Sequence, residues 1–174
     1  MTTGKVAPRL AWAVKMLDPR PSERVLEIGC GHGVAVDLVA QCLVDGHVTG
    51  LDRSQKMIEA AERRNAAHIA AGRASFVRTA IETWDSPGPH FDAAFAINVI
   101  AFANPDHGCH AVVRRALGPG GRLCLCFQPP GAGEVPSLVD RFTRSLAANG
   151  FAVERAEIGE ITPAPAVGVV ARPT

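Results

Sequence analysis

The chain has no charge excess: 18 lysines and arginines oppose 17 aspartates and glutamates, for a net charge of +1. No basic stretch stands out, so long-range attraction to nucleic acid or an anionic membrane is not expected. Long apolar runs are missing as well. The longest uncharged stretch, 93–105, is too short to span a bilayer and contains Asn98 and Asn104. The apolar run 10–14 lies between charged residues and is too short for a signal peptide. A disulfide framework is not expected either. The five cysteines (30, 42, 109, 124 and 126) are odd in number, and they fall inside expected strands, helices or a glycine turn rather than forming a loop framework. That usage suits a reducing cytoplasm. No repeat, low-complexity tract or linker divides the chain. One domain over 1–174 is therefore expected, a leading helical segment (1–20) before a core (21–174). With 47% apolar and 20% charged residues the composition is that of an ordinary globular protein.

What the chain does have is a glycine turn in a telling place. Val25-Leu26-Glu27-Ile28 reads as a buried strand and runs into Gly29-Cys30-Gly31-His32-Gly33. Val34, Leu38, Val39 and Cys42 then continue at helical spacing. Strand, tight glycine turn and helix start form a cradle, because missing side chains let a ligand approach the backbone. The helix start adds unpaired N–H groups facing the same spot. Nineteen positions after Gly33, the strand Val48-Thr49-Gly50-Leu51-Asp52 ends in a carboxylate, where nucleotide-type folds bind a ribose. The third glycine comes one place earlier than in G-x-G-x-x-G, with Val34 where that fingerprint has glycine.

Strands and helices alternate through most of the chain. A helix is predicted over 7–17, with Leu10, Val14 and Leu17 on one face and Trp12 off it. Strand 24–28, helix 33–43 and strand 47–52 follow. Ser54 caps a helix over 55–70, with Met57, Ile58, Ala60 and Ala61 inward. Strand 75–80 precedes a short helical piece within 81–85 and a loop at Pro87-Gly88-Pro89. The apolar run 91–98 reads as a central parallel strand, and Pro105-Asp106 starts a helix. Strand 122–127, a Pro/Gly loop over 128–136, helix 137–148 and strands 151–158 and 166–172 close the chain. Alternation of this kind forces right-handed crossovers and a parallel sheet covered on both faces.

Glu27, the glycine triplet and Asp52 together resemble motif I and the following acid of class I S-adenosylmethionine (SAM)-dependent methyltransferases. The stretch Asp52-Arg53-Ser54-Gln55-Lys56-Met57 is similar to that family's second-strand motif. Phe91-Asp92 and Arg115-Ala116-Leu117-Gly118-Pro119-Gly120-Gly121 resemble its later blocks. The resemblance implies an α/β, Rossmann-like three-layer sandwich. Its seven-stranded, mostly parallel sheet would carry an antiparallel last strand between the fifth and sixth. It also implies SAM as cofactor, held by Glu27, Gly29, Cys30, Gly31, Gly33, Asp52, Arg53, Met57, Ala80, Ile81, Glu82 and Asn98. In that pattern Asp52 grips the ribose, Glu27 meets the methionine amino end and Met57 packs on adenine; simple core packing is the other reading of Met57. There is one departure. Phe76-Val77-Arg78-Thr79-Ala80-Ile81 puts Ala80 where the family often has an aspartate on the adenine amino group. That contact falls to the Ile81 backbone or Glu82, or is absent, at a cost of about 1–3 kcal/mol.

In-line methyl transfer needs orientation and exclusion of water rather than a triad or a metal. Where the acceptor must lose a proton, the candidates are Asp106 and His107, with His110 three residues on along one expected helix face. A metal pair and a solvated first turn are the other readings of these histidines, and no metal is expected. The acceptor is expected to be a small molecule, because no Asn/Asp-Pro-Pro-aromatic block follows the fourth strand. Segment 1–15 and the loop 128–136 are expected to shape its pocket, in a monomer or homodimer. Two alternatives stay open: a catalytically idle SAM-binding or scaffold protein, supported by Ala80, and a nicotinamide-dependent oxidoreductase, disfavoured by the glycine spacing.

Overall fold

The computed structural model describes residues 6–86 and 90–174. The expected loop at Pro87-Gly88-Pro89 lies outside the described residues. The strands are β1 (Arg24–Ile28), β2 (His47–Asp52), β3 (Ala74–Arg78), β4 (Phe91–Ile97), β5 (Leu117–Phe127), β6 (Phe151–Gly159) and β7 (Ala166–Pro173). They form one seven-stranded sheet in the order β3-β2-β1-β4-β5-β7-β6. β1 to β5 pair in parallel, while β7 runs antiparallel between β5 and β6. Burial explains the inserted last strand. Residues 166–171 of β7 are all buried, which demands an interior position, whereas residues 154–158 of β6 are exposed and suit an edge.

Strand alternation splits the core between the two faces of the sheet. Leu26, Ile28, Leu51, Leu123 and Leu125 pack under α5 (Cys109–Ala116) and α6 (Val135–Ala148). Val25, Val48, Phe95, Cys124 and Cys126 pack under α1 (Pro8–Leu17) and α2 (Val34–Cys42), with Ile58 of α3 (Gln55–Arg64). Leu138, Phe142 and Leu146 anchor α6; burying each side chain of this kind contributes roughly 1.5–3 kcal/mol. Among the described residues no helix is long and apolar enough to cross a membrane.

Four local expectations change. The helix predicted over 55–70 divides at Asn65 into α3 and α4 (Ala66–Ala70). Asn65 is fully buried and its amide donates to the carbonyls of Gly33 and Ala61, so the side chain competes with helix continuation. The helix expected from Pro105 starts at Cys109. Residues Ile100–Ala103 form a 3-10 turn instead, and the Asn104 side chain takes the Asp106 N–H. In α2 the inward residues are Ala35, Val36, Val39 and Ala40, while Cys42 is exposed. Trp12 lies against the sheet rather than off it: a Cβ on Gly168 would meet its ring at 2.7 Å.

Candidate active site

Leaving β1, the chain turns on three glycines, each with positive φ: Gly29 at +73°, Gly31 at +52° and Gly33 at +70°. The N–H groups of Gly29 and Cys30 both donate to the Leu51 carbonyl, at 2.8 and 2.9 Å, which ties the turn to the end of β2. Gly31 and Gly33 then do different jobs. A Cβ on Gly33 would lie 2.8 Å from the Ala61 Cβ, so this glycine lets α2 pack on α3. Gly31 has nothing within 4 Å of its Cβ direction, so its backbone is open to a ligand.

Asp52 closes β2 beside this turn. One carboxylate oxygen accepts the Gly31 N–H at 3.0 Å and the other the Ser54 N–H at 2.9 Å. Both bonds fix the carboxylate, yet a carboxylate has about four acceptor positions, so capacity remains for a ligand. Two adjoining cavities meet here, beyond the carboxyl ends of the strands. The larger, about 370 Å³, is lined by Gly29, Asp52, Arg53, Ala80, Ile81, Glu82, Asn98 and His107, among others. The smaller, about 240 Å³, is lined by Glu27, Gly29, Cys30, Gly31 and Asn98, with Arg9 and Leu10 from α1. Gly29 and Asn98 form their shared border.

Asn98 has φ +59°, a sparsely populated conformation for a residue with a side chain. Its N–H donates to the Cys126 carbonyl and its side-chain oxygen accepts the Gln128 N–H, both at 2.8 Å. These bonds hold the strained residue where β4 ends. Gly33, Met57 and Asp106 line neither cavity. Met57 is half-buried on α3, and Asp106 is exposed. Nor does the loop at 128–136 contribute to either lining. Arg9 and Leu10 are among the additions, with Thr79, His32 and Val34; a place in the leading segment is the signal that pointed to Arg9 and Leu10.

Glu27 carries the strongest electrostatic signal. It is 2% exposed and shares the face of β1 that carries Val25, so that it points under the first turn of α2. Burial pushes its carboxyl well above the usual carboxylate range; the Val36 N–H pulls it back and the Asp52 charge pushes it up again. Its Oε2 has no hydrogen-bond partner. Cys30 beside it is a buried filler, its thiol pushed up by burial and then by the charges of Glu27 and Asp52.

The histidines part company. His107 precedes α5 rather than sharing its face with His110. Its Nε2 lies 3.0 Å from Glu82 Oε1, and its Nδ1 accepts the Cys109 N–H at 3.4 Å. His110 is fully buried, its ring between the carbonyls of His107 and Phe102 and the Ser145 hydroxyl. A pair of solvated histidines on one helix turn is therefore not what forms, and the partner of His107 is Glu82, not Asp106. No group of three metal-ligating side chains occurs among the described residues.

A methyltransferase-domain family model matches residues 25–121. The chain belongs to the class I SAM-dependent methyltransferases. Over 138 residues it is 26% identical to an uncharacterized methyltransferase of Bacillus subtilis, YdaC, covering 79% of this chain and 74% of that protein. The trans-aconitate 2-methyltransferase of Streptomyces avermitilis is 30% identical over 129 residues, 74% of this chain. The match spans only 46% of that enzyme's length. A SAM-dependent methyltransferase from Aquifex aeolicus shares the fold, with a TM-score of 0.74 at 16% identity. That likeness covers 93% of this chain and 88% of the other. Nothing in this family supports the nicotinamide reading.

SAM fits the methyltransferase site on three structural grounds. The orphaned oxygen of buried Glu27 suits the cationic amino end, and the open side of Gly31 admits a ligand to the backbone. The spare lone pairs of Asp52 suit a ribose diol. The misfit is local: Ala80 lines the larger cavity and offers no side-chain acceptor, while Glu82 beside it does.

Proposed function

We propose that this methyltransferase transfers the methyl group of SAM to a small-molecule acceptor in the double cavity at the ends of β1, β2, β3 and β4. One observation carries the reading: a fixed Asp52 carboxylate and the unpartnered, buried Glu27 oxygen stand on either side of an open glycine backbone. Bound SAM supplies a methyl group already activated on a sulfonium. The chain's own residues bind and orient. Asp52 accepts ribose hydroxyls, Glu27 takes the methionine ammonium, and Gly29 and Gly31 allow close backbone approach. Ile81 and Glu82 serve the adenine side in place of an acid at position 80. Asn98, locked at the border of the two cavities, faces the region where cofactor and acceptor meet. Orientation and water exclusion then supply much of the rate.

Asp106 lies outside both cavities and receives no role in this proposal. His107 lines the adenosine side, but its two nitrogens face the Cys109 N–H and Glu82, so proton removal would first require release of one contact. The small-molecule acceptor rests on the Streptomyces relative, named for methylation of trans-aconitate. Calorimetric titration with S-adenosylhomocysteine (SAH) tests the reading: saturable binding is expected, weakened by Asp52→Ala. No binding at high ligand concentration removes it. Ala80 favours a second reading, a SAM-binding protein that has lost turnover. SAH binding without methylation across a broad acceptor panel would select it.

A further inference from the structure

One cation in the site has no assignment. Arg9 is half-buried in the first turn of α1 and lines the same cavity as Glu27. The family match begins at residue 25, so nothing in that likeness bears on α1. Among the described residues the Arg9 guanidinium makes no hydrogen bond or ion pair. It does not satisfy Glu27 either, because Glu27 Oε2 is left without a partner. A cation and an acid thus line one small cavity without neutralising each other.

The fold holds this arrangement in place. Pro8 starts α1, and Ala13, Val14, Met16 and Leu17 bury its inner face. Trp12, one turn beyond Arg9, packs against Gly159 and Gly168, where an added Cβ would meet its ring at 2.5 and 2.7 Å. A helix clamped at Trp12 holds the Arg9 backbone at the cavity wall.

We propose that Arg9 is the carboxylate clamp for the methionine end of SAM, so that this cavity reads an α-amino-acid zwitterion. Glu27 faces the ammonium, and the planar guanidinium fork faces the carboxylate, the geometry in which arginine binds most strongly. The inference rests on SAM binding as proposed above and adds a residue from outside the matched domain. It also accounts for the leading helix. Without α1 the smaller cavity loses one of its walls and its arginine.

Two thioether ligands separate this role from a structural one. SAH carries the amino-acid group; 5′-methylthioadenosine carries the same adenosine without it. The full chain, Arg9→Met and Arg9→Lys are titrated with each by calorimetry. Arg9→Met should lose roughly 10- to 100-fold in SAH affinity, the range of a charge-assisted bidentate contact, with methylthioadenosine binding unchanged. Arg9→Lys should recover part of the loss. Unchanged SAH binding in Arg9→Met overturns the clamp and leaves Arg9 for the acceptor. An equal loss for both ligands also overturns it, showing displacement of α1. Wild-type chain that binds neither ligand removes the SAM reading itself, and the clamp with it.

Discussion

Above about pH 5 the melting temperature of this chain should fall with rising pH relative to that of a Glu27→Gln variant. Glu27 is buried, shares its surroundings with charged Asp52 and leaves Oε2 without a donor, so its proton is held well above the usual carboxylate range. In the unfolded chain the same carboxyl titrates near its ordinary value, about 4.3. The folded state therefore binds the proton more tightly than the unfolded state. Its stabilising contribution is complete below the unfolded value and is lost as pH rises toward the folded value. Within that window about 1.4 kcal/mol disappears per pH unit, or roughly 3–5 °C in Tm for a chain of this length. Glutamine cannot titrate, so the variant lacks this slope while keeping every other titrating group. Differential scanning fluorimetry of both proteins, read as a difference, isolates the effect. Saturating SAH should flatten the wild-type slope, because an ammonium against Oε2 favours the charged carboxylate. A wild-type-minus-variant difference that stays constant over the whole range would refute the reasoning.

Other consequences test separate links. Gly31→Ala should cost about 1–2 kcal/mol for left-handed backbone alone, whereas Gly33→Ala adds overpacking against Ala61 and should cost about 2–5 kcal/mol; equal losses in urea unfolding would contradict the division of labour. Ala80→Asp restores an acceptor in the larger cavity and should tighten SAH binding roughly 5- to 100-fold by calorimetry. Burial, aided by the Glu82 charge, pushes the Cys109 thiol up to about 12, and Cys42 alone among the free cysteines is exposed. Ellman titration of the folded chain should accordingly show one fast thiol, absent in Cys42→Ser.

Much of the architecture was legible in residue order, for definite reasons. Period-two and period-3.6 patterns mark the strands and most helices, and the glycine triplet between Glu27 and Asp52 marks the cradle. Misjudged elements trace to side chains whose partners are remote in sequence. Asn65 looks like a surface helix residue until Gly33, 32 positions away, supplies a carbonyl for its amide. Trp12 looks misplaced until Gly168 opens a seat for its ring. Asp106 and His107 look like a pair until Glu82, from the preceding crossover, takes the imidazole.

Local chemistry by itself determined the alternating α/β architecture, the strained glycine turn and the acid at the end of the second strand, because backbone conformation and periodicity are written in neighbouring residues. Family membership follows from the same stretch. Only tertiary structure decided which groups share the cavity, that Glu27 keeps an unpaired oxygen, and that Arg9 lines the same cavity from a helix the motif does not include. Burial, and the proton affinity that burial changes, depend on atoms brought together across the fold, and no spacing along the chain encodes them.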